Sequence, residues 1–255
     1  MGLCPLIFDG MTWSYSRVKC YDDCPYRWYL KYIFEVESKP MFYSSYGTFM
    51  HGLLEQYYKG EITQEEMRIK YLFGFRENVR GERPAADTVT KYLEQGLRFI
   101  DTIQPLPFKL LDTECRFELT LDGVPTVGFI DLIGEMDGEL YIVDHKSRDM
   151  KPRSTRKKPT AKDAELDDML RQLYLYAGAV REIYGKFPKA LCFNCFRNGN
   201  FIEEPFDERK YDEALDWLHR NIGYIREDDR FPPLPDFFAC RWICDVKDEC
   251  CYFEG

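Results

Sequence analysis

No stretch of the 255 residues approaches the ~18 consecutive apolar residues of a membrane span. The opening MGLCPLIFDG has no basic region followed by an apolar run. These two absences lead to the expectation of a soluble, non-secreted protein, placed in the cytoplasm and without a membrane partner. There is no Gly-x-x-x-x-Gly-Lys and no internal repeat, which sets aside a Walker-type phosphate loop, any motor built on one, and a solenoid. Excess positive charge is lacking too. A net charge of −9 argues against indiscriminate polyanion binding by the whole surface. What is present is a globular composition, 45% hydrophobic and 31% charged, long enough to bury a full core as one domain over residues 1–255.

The stretch GFIDLIGEMDGELYIVDHKSR, Gly128 to Arg148, alternates like a half-buried hairpin that turns at Asp137-Gly138. A two-residue loop there pairs Met136 with Glu139, Ile133 with Ile142 and, counting outward, Asp131 with Asp144. Directly opposed residues have Cβ atoms roughly 4.5–5.5 Å apart, so two carboxylates repel there unless a cation sits between them. A divalent metal ion resolves the conflict. Without it the pair is expected to be strained, and Asp131→Asn is expected to relieve that strain. Period-2 geometry also puts Leu140, Ile142, Asp144 and Lys146 on one face, so Lys146 points to the side of the acids.

Around this hairpin the periodicities order the chain. Ser14 or Ser16 can cap a helix through Lys19 and Tyr21, and Pro25 can open a second, PYRWYLKYIF. Further helices fit Ser45 to Tyr58, a capping box of Thr63 and Glu66 leading towards Asn78, and Asp87 to Ile103. Strand signals follow in TECRFELTL, VPTVGFIDLIGEM and ELYIVDHK, with turns at Asp122-Gly123 and Asp137-Gly138. A helix from about Asp163 to Tyr184 is long enough to cross over to the strand KALCFNCF; Asn198-Gly199 turns into FIEEPF, and Glu208 to Arg226 is helical. The order predicts an α/β protein with a mixed sheet and helices on both faces: a helical region over 12–105, an α/β core over 106–206, and a C-terminal helix with a cysteine-rich tail over 207–255.

Charge and cysteine are unevenly placed. Lys151, Arg153, Arg156, Lys157, Lys158 and Lys162 crowd one segment just before the acidic run Asp163 to Asp168, as a solvated linker or a phosphate-contacting loop would. Ten cysteines without an export signal are poorly explained as a disulfide framework, and metal binding is the better reading. Cys240, Cys244, Cys250 and Cys251 crowd ACRWICDVKDECC, a segment without helix or strand periodicity. Cys115, Cys192 and Cys195 fall in strands and read as small buried residues, with a Cys192-x-x-Cys195 metal site as the lesser alternative.

GTFMHGLLE, GFIDLI, IVDHKS and QLYLY, in that order and in those elements, resemble the RecB-like branch of the PD-(D/E)XK nucleases. That branch includes the iron–sulfur nucleases of CRISPR adaptation and of helicase–nuclease complexes, and the resemblance runs from about Thr12 to Cys250. It implies the PD-(D/E)XK (restriction-endonuclease-like) fold, with Asp131 and Asp144 as metal-binding acids and Lys146 as the motif lysine. His145 is the spacer, its side chain on the opposite face and its carbonyl within reach of the metal. His51, in Gly47-x-x-x-His51 with Glu55 one turn later, is implied as a further ligand, and Gln172 and Tyr176 as residues facing the active site and the DNA. These donors suit Mg²⁺ or Mn²⁺, the imidazole tilting tolerance towards Mn²⁺.

The same resemblance implies a [4Fe–4S] cluster held by one early and three late cysteines, here Cys24 with Cys240, Cys244 and Cys250. The three residues between Cys240 and Cys244 depart from the commoner two, which leaves Cys251 and Cys20 as substitutes; zinc on the same thiolates is the alternative. The implied function is a metal-dependent DNA exonuclease acting on single strands or free ends, with a helicase or a recombination or CRISPR-type protein as partner. Arg153, Arg156, Lys157 and Lys158 are candidates for nucleic-acid binding. The alternatives are a non-catalytic nucleic-acid-binding or assembly subunit and an endonuclease of the same fold.

Overall fold

The computed structural model describes Phe8 and residues 10–253. Most of the start MGLCPLIFDG therefore lies outside the described residues.

Local signals place most helix ends. Ser14 accepts the Arg17 N–H at the head of α1 (Tyr15–Asp23), and Cys24 is both the end of α1 and the cap before Pro25 opens α2 (Pro25–Tyr32). α3 (Phe42–Tyr58) begins three residues before Ser45, with no side-chain cap; the ring of Phe42 is buried against Tyr92, and tertiary packing sets that end. Thr63 and Glu66 form the expected capping box of α4 (Gln64–Asn78), and α5 (Ala86–Thr102) follows.

β1 (Lys109–Leu121), β2 (Val124–Met136) and β3 (Glu139–Lys146) form the antiparallel meander. Thr160 and Asp163 box the start of α6 (Ala161–Tyr184), which Gly185 ends in the left-handed region at φ 80°. α6 carries the chain across to β4 (Ala190–Cys195), parallel to β3, and β5 (Asn200–Pro205) turns back antiparallel to complete a mixed five-stranded sheet in the order β1-β2-β3-β4-β5. α7 (Glu208–Glu227) follows as expected. The tail, expected to be irregular, holds one short helix, α8 (Phe237–Trp242), started by Asp236 accepting the Ala239 N–H; six residues are too few to show a period.

One face of the sheet, through Ile130, Ile142, Leu191 and Phe193, packs on Leu170, Leu173 and Ala177 of α6, with Trp28 and Trp217 in the same core. The other pleat, through Leu132, Tyr141, Val143 and Cys192, packs on Phe108 and the end of α3 at Tyr58. Parity along β3 thus sends Asp144 and Lys146 under α6 and His145 to the α3 side. Among the described residues no helix is long and apolar enough to cross a membrane.

Candidate active site

Asp137 and Gly138, at φ 55° and 77°, make the tight turn that the twist of a hairpin favours. The register is the one read from the sequence, Met136 opposite Glu139 and Ile133 opposite Ile142, and it holds as far as Leu132 and Val143. One step further the two acids part. The His145 N–H donates to Asp131 Oδ2 at 2.7 Å, and Asp144 Oδ2 lies 2.8 Å from Lys146 Nζ. The expected face-to-face placement is corrected: each carboxylate has its own partner, though the charge of Asp131 still bears on Asp144.

His51 on α3 completes the Asp131 side. Its Nε2–H donates to the His145 carbonyl at 2.9 Å, while Nδ1 sits 3.4 Å from Asp131 Oδ2. The carbonyl read as a metal contact is thus engaged by His51. Burial would lower the His51 pKa, but the hydrogen bond and charge of Asp131 raise it. Burial would likewise raise the Asp131 carboxyl, but His51 and the His145 N–H outweigh it and hold it at about 2. A protonated His51 satisfies both neighbours, and a metal ion on Nδ1 would take the place of that proton. Asp131→Asn in chelator is therefore expected to lower stability by about 1 kcal/mol or more, the opposite of strain relief, as thermal melting can check.

Burial first, then the charge of Asp131, push Asp144 up to about 6 despite Lys146. The approach of Lys146 is an ion pair off the angle of a good hydrogen bond, so this fully enclosed oxygen has that ammonium as its one close partner. The strain expected of the pair therefore sits on Asp144.

Glu114 joins the site unannounced by any motif. It lies in β1 at φ 49°, a left-handed conformation that costs a non-glycine residue about 1–3 kcal/mol. The departure brings its carboxylate, Asp131 and a His51 ring nitrogen within 4.8 Å of one another. Burial and then Asp131 push it to about 6. Strand parity could not have found it, because a backbone leaving the strand region breaks the period-2 rule. Glu55, one turn beyond His51, is instead paired with Lys59 at 2.5 Å.

Lys146 Nζ donates to Gln172 Oε1 at 3.0 Å, and Gln172 Nε2 donates to the Tyr176 hydroxyl at 2.9 Å. The relay fixes the ammonium beside Asp144 and leaves the phenol proton free to donate. His145 points away, as expected, stacked on Tyr58 at 5.6 Å and 6° and accepting from Asn194 at 3.1 Å; burial lowers its pKa to about 3, so the ring is neutral. The arrangement joins three carboxylates, an imidazole and one fixed ammonium at the end of a parallel strand.

A family model described as the PD-(D/E)XK nuclease superfamily matches residues 12–251. The chain belongs to that superfamily. The Gene 69 protein of Mycobacterium phage D29 is 26% identical over 279 residues, covering 94% of this chain and 97% of that protein. In fold, the chain is similar to a crystal structure of a candidate exonuclease from Eubacterium rectale, at a TM-score of 0.56 and 14% identity, covering 100% of this chain and 96% of that one.

For a PD-(D/E)XK nuclease, the hard oxygen donors and one imidazole fit a divalent ion, and the buried Asp144 oxygen, held only by the Lys146 ammonium, is an atom that such an ion would satisfy. His51, Asp131 and Glu114 already converge; Asp144 faces Lys146 beside them.

The other candidates divide. Cys24, Cys240, Cys244 and Cys250 line one cavity, whereas Cys20 is buried in the main core and Cys251 is exposed, its sulfur 3.3 Å from the Tyr26 hydroxyl. Cys192 and Cys195 are both buried in β4 but on opposite faces of the sheet, so they cannot share an ion. Arg153 is engaged within the fold, 2.7 Å from Asp167 and 2.8 Å from Glu204; Arg156, Lys157 and Lys158 are exposed.

Proposed function

We propose that this PD-(D/E)XK protein is a divalent-metal-dependent DNA exonuclease, with Mg²⁺ or Mn²⁺ at the acids and a structural [4Fe–4S] cluster in the cysteine tail. What supports the catalytic reading best is the buried oxygen of Asp144, ion-paired with a lysine that Gln172 fixes and set beside a convergent His51, Glu114 and Asp131. One ammonium does not offset the burial of Asp144 beside Asp131, and the Asp144 carboxyl stays raised to about 6; a further cation would offset it.

A divalent ion held by His51, Asp131, Asp144 and Glu114 would supply Lewis acidity towards a phosphoryl oxygen and a lowered pKa for a water. The chain's own residues do the rest. Lys146, with one proton committed to Gln172, has others to donate to the attacking water and to the charge that builds on the phosphoryl oxygens. Tyr176, accepting from Gln172, can donate its own proton to a phosphate oxygen.

The cluster reading rests on geometry of a different kind. The four cysteines share a cavity of about 80 Å³ with apolar Pro233, Leu234 and Val246. No three of the described cysteine sulfurs lie within 4.8 Å of one another. Four thiolates around one cavity suit a [4Fe–4S] cluster or a zinc ion, and iron content decides between them.

End-labelled single- and double-stranded DNA incubated with Mn²⁺ tests the reading. Mononucleotides released from the first time point support an exonuclease; a ladder of internal fragments would mean an endonuclease of the same fold, and binding without cleavage a non-catalytic subunit. Without a Walker loop, duplex unwinding would fall to a separate helicase, as a partner or within a recombination or CRISPR-type assembly.

Arg156, Lys157 and Lys158 are proposed to bind phosphates, with Arg153 holding the base of their loop through its ion pairs. Neutralising the three together should weaken binding of every sequence and flatten the dependence of log affinity on log salt by roughly one unit for each phosphate left without its cation. An unchanged slope makes the loop a solvated linker.

A further inference from the structure

We propose that one nucleic-acid strand runs from the metal site along α3, its base stacked on Tyr43 and Phe238 and its phosphate held by Arg197. This rests on the nuclease reading above and adds the path of the substrate.

Tyr43, Gly47 and His51 recur every four residues and share one face of α3, so Tyr43 lies about 12 Å along the axis from the metal-site histidine. Between them a Cβ on Gly47 would meet only Ser147 Oγ, at an ordinary 3.7 Å. Glycine is unfavourable in a helix interior, and no neighbour within the chain demands it here. The face above Gly47 is smooth, as close passage of another molecule requires.

At the same edge Arg197 follows β4, and its guanidinium is held entirely by neutral groups. It donates to Gln95 at 3.0 Å, to the Tyr92 hydroxyl at 2.8 Å and to the Ser147 carbonyl at 3.4 Å, and it stacks over the Tyr92 ring at 4.0 Å. No described carboxylate lies within ion-pair distance, whereas Arg153 is committed to two. Ser147 directly follows Lys146, so this oriented cation grips the backbone next to the motif lysine.

Tyr43 continues the ledge, 5.4 Å from Tyr92 and 5.6 Å from Phe238, whose ring is 52% exposed. A fixed cation next to open ring faces, in line with a phosphodiester-cleaving site, matches a phosphate followed by an unstacked base. Such contacts read backbone and ring planes, so little sequence preference is expected.

The test uses single-stranded oligonucleotides, with binding followed by fluorescence anisotropy in Ca²⁺ and cleavage in Mn²⁺. Tyr43→Leu should raise KM about tenfold while kcat changes little, and Tyr43→Trp should restore it. Arg197→Gln should flatten the salt slope by about one unit. An abasic nucleotide moved stepwise from the labelled end should weaken wild-type binding at one position and cost nothing further there in Tyr43→Leu. That scan on the wild type needs no variant to fold. Gly47→Ala should raise the melting temperature by about 2 °C and yet raise KM.

Wild-type strand binding by both Tyr43→Leu and Arg197→Gln overturns the proposal and makes the ledge a protein-docking surface. So does an abasic penalty equal in wild type and variant. A wild type that cleaves no strand in Mn²⁺ condemns the nuclease reading instead, and the binding pattern in Ca²⁺ still judges the ledge.

Discussion

Asp144→Asn is expected to reduce hydrolysis by about a thousandfold or more while leaving the metal-free protein at least as heat-stable as the wild type at neutral pH. The two halves follow from one fact. Asp144 is buried with Lys146 as the one close partner of its enclosed oxygen, and its carboxyl is pushed up to about 6 by that burial and by Asp131 despite the ammonium. A carboxyl with a folded pKa above its unfolded value adds stability below the unfolded value, near 4, and loses it as pH rises through about 6. Above pH 6 the ionised group is a burden on the metal-free fold, which asparagine removes; Lys146 keeps its bond to Gln172. Melting curves in chelator should therefore decline between pH 4 and 6 in the wild type and flatten in the variant. Because the carboxylate must be ionised to bind a cation, wild-type Mn²⁺ affinity should fall about tenfold per pH unit below 6. An Asp144→Asn protein that still cleaves, or that melts well below the wild type in chelator at pH 7, sinks the assignment.

Replacing Cys24, Cys240, Cys244 or Cys250 by Ala is expected to bleach a brown, anaerobically purified protein and to lower its melting temperature by about 10 °C or more. A cluster bound by these four thiolates would tie the head of α2 to the tail across more than 200 residues, and closing so long a loop stabilises strongly. The tail would not depend on such a cluster alone: Asp245 pairs with Arg27 at 2.8 Å and Lys31 at 2.5 Å, and Lys39 with Asp248 at 2.7 Å. The variants should thus lose order in the tail before the nuclease core unfolds. Cys20→Ala and Cys251→Ala should keep both iron and colour, since neither residue lines the cavity. Stoichiometric zinc without iron or acid-labile sulfide overturns the cluster.

The hairpin was the most legible part of the chain. An Asp-Gly turn and period-2 alternation fix its register, and the same count places Asp144 and Lys146 on the face beneath α6. The α/β order was legible for a related reason, because the capping box at Thr63 and the turns at Asp122-Gly123 and Asp137-Gly138 are local signals, while the Thr160 box moved the start of α6 ahead of the Asp163 read from the sequence. The four-residue spacings of Gly47 and His51 and of Gln172 and Tyr176 could be read too, since helix geometry alone puts such pairs on one face; Tyr43 joined that face only because α3 starts at Phe42.

Residue types and local periods are what the sequence by itself determined: the mixed sheet, the acids and lysine at the strand ends, the histidine on α3, the cysteine-rich tail. Only the tertiary structure decided how they are used. It gave Asp131 the His145 N–H and left the desolvated oxygen on Asp144, brought Glu114 in through a left-handed residue, and tied Arg153 to Asp167 and Glu204 while leaving Arg197 among neutral partners. Each of these depends on groups that meet from distant segments or on a backbone that leaves its regular conformation. A periodic pattern fixes which face a side chain takes, but the partner it meets there is set by the packing of the whole chain.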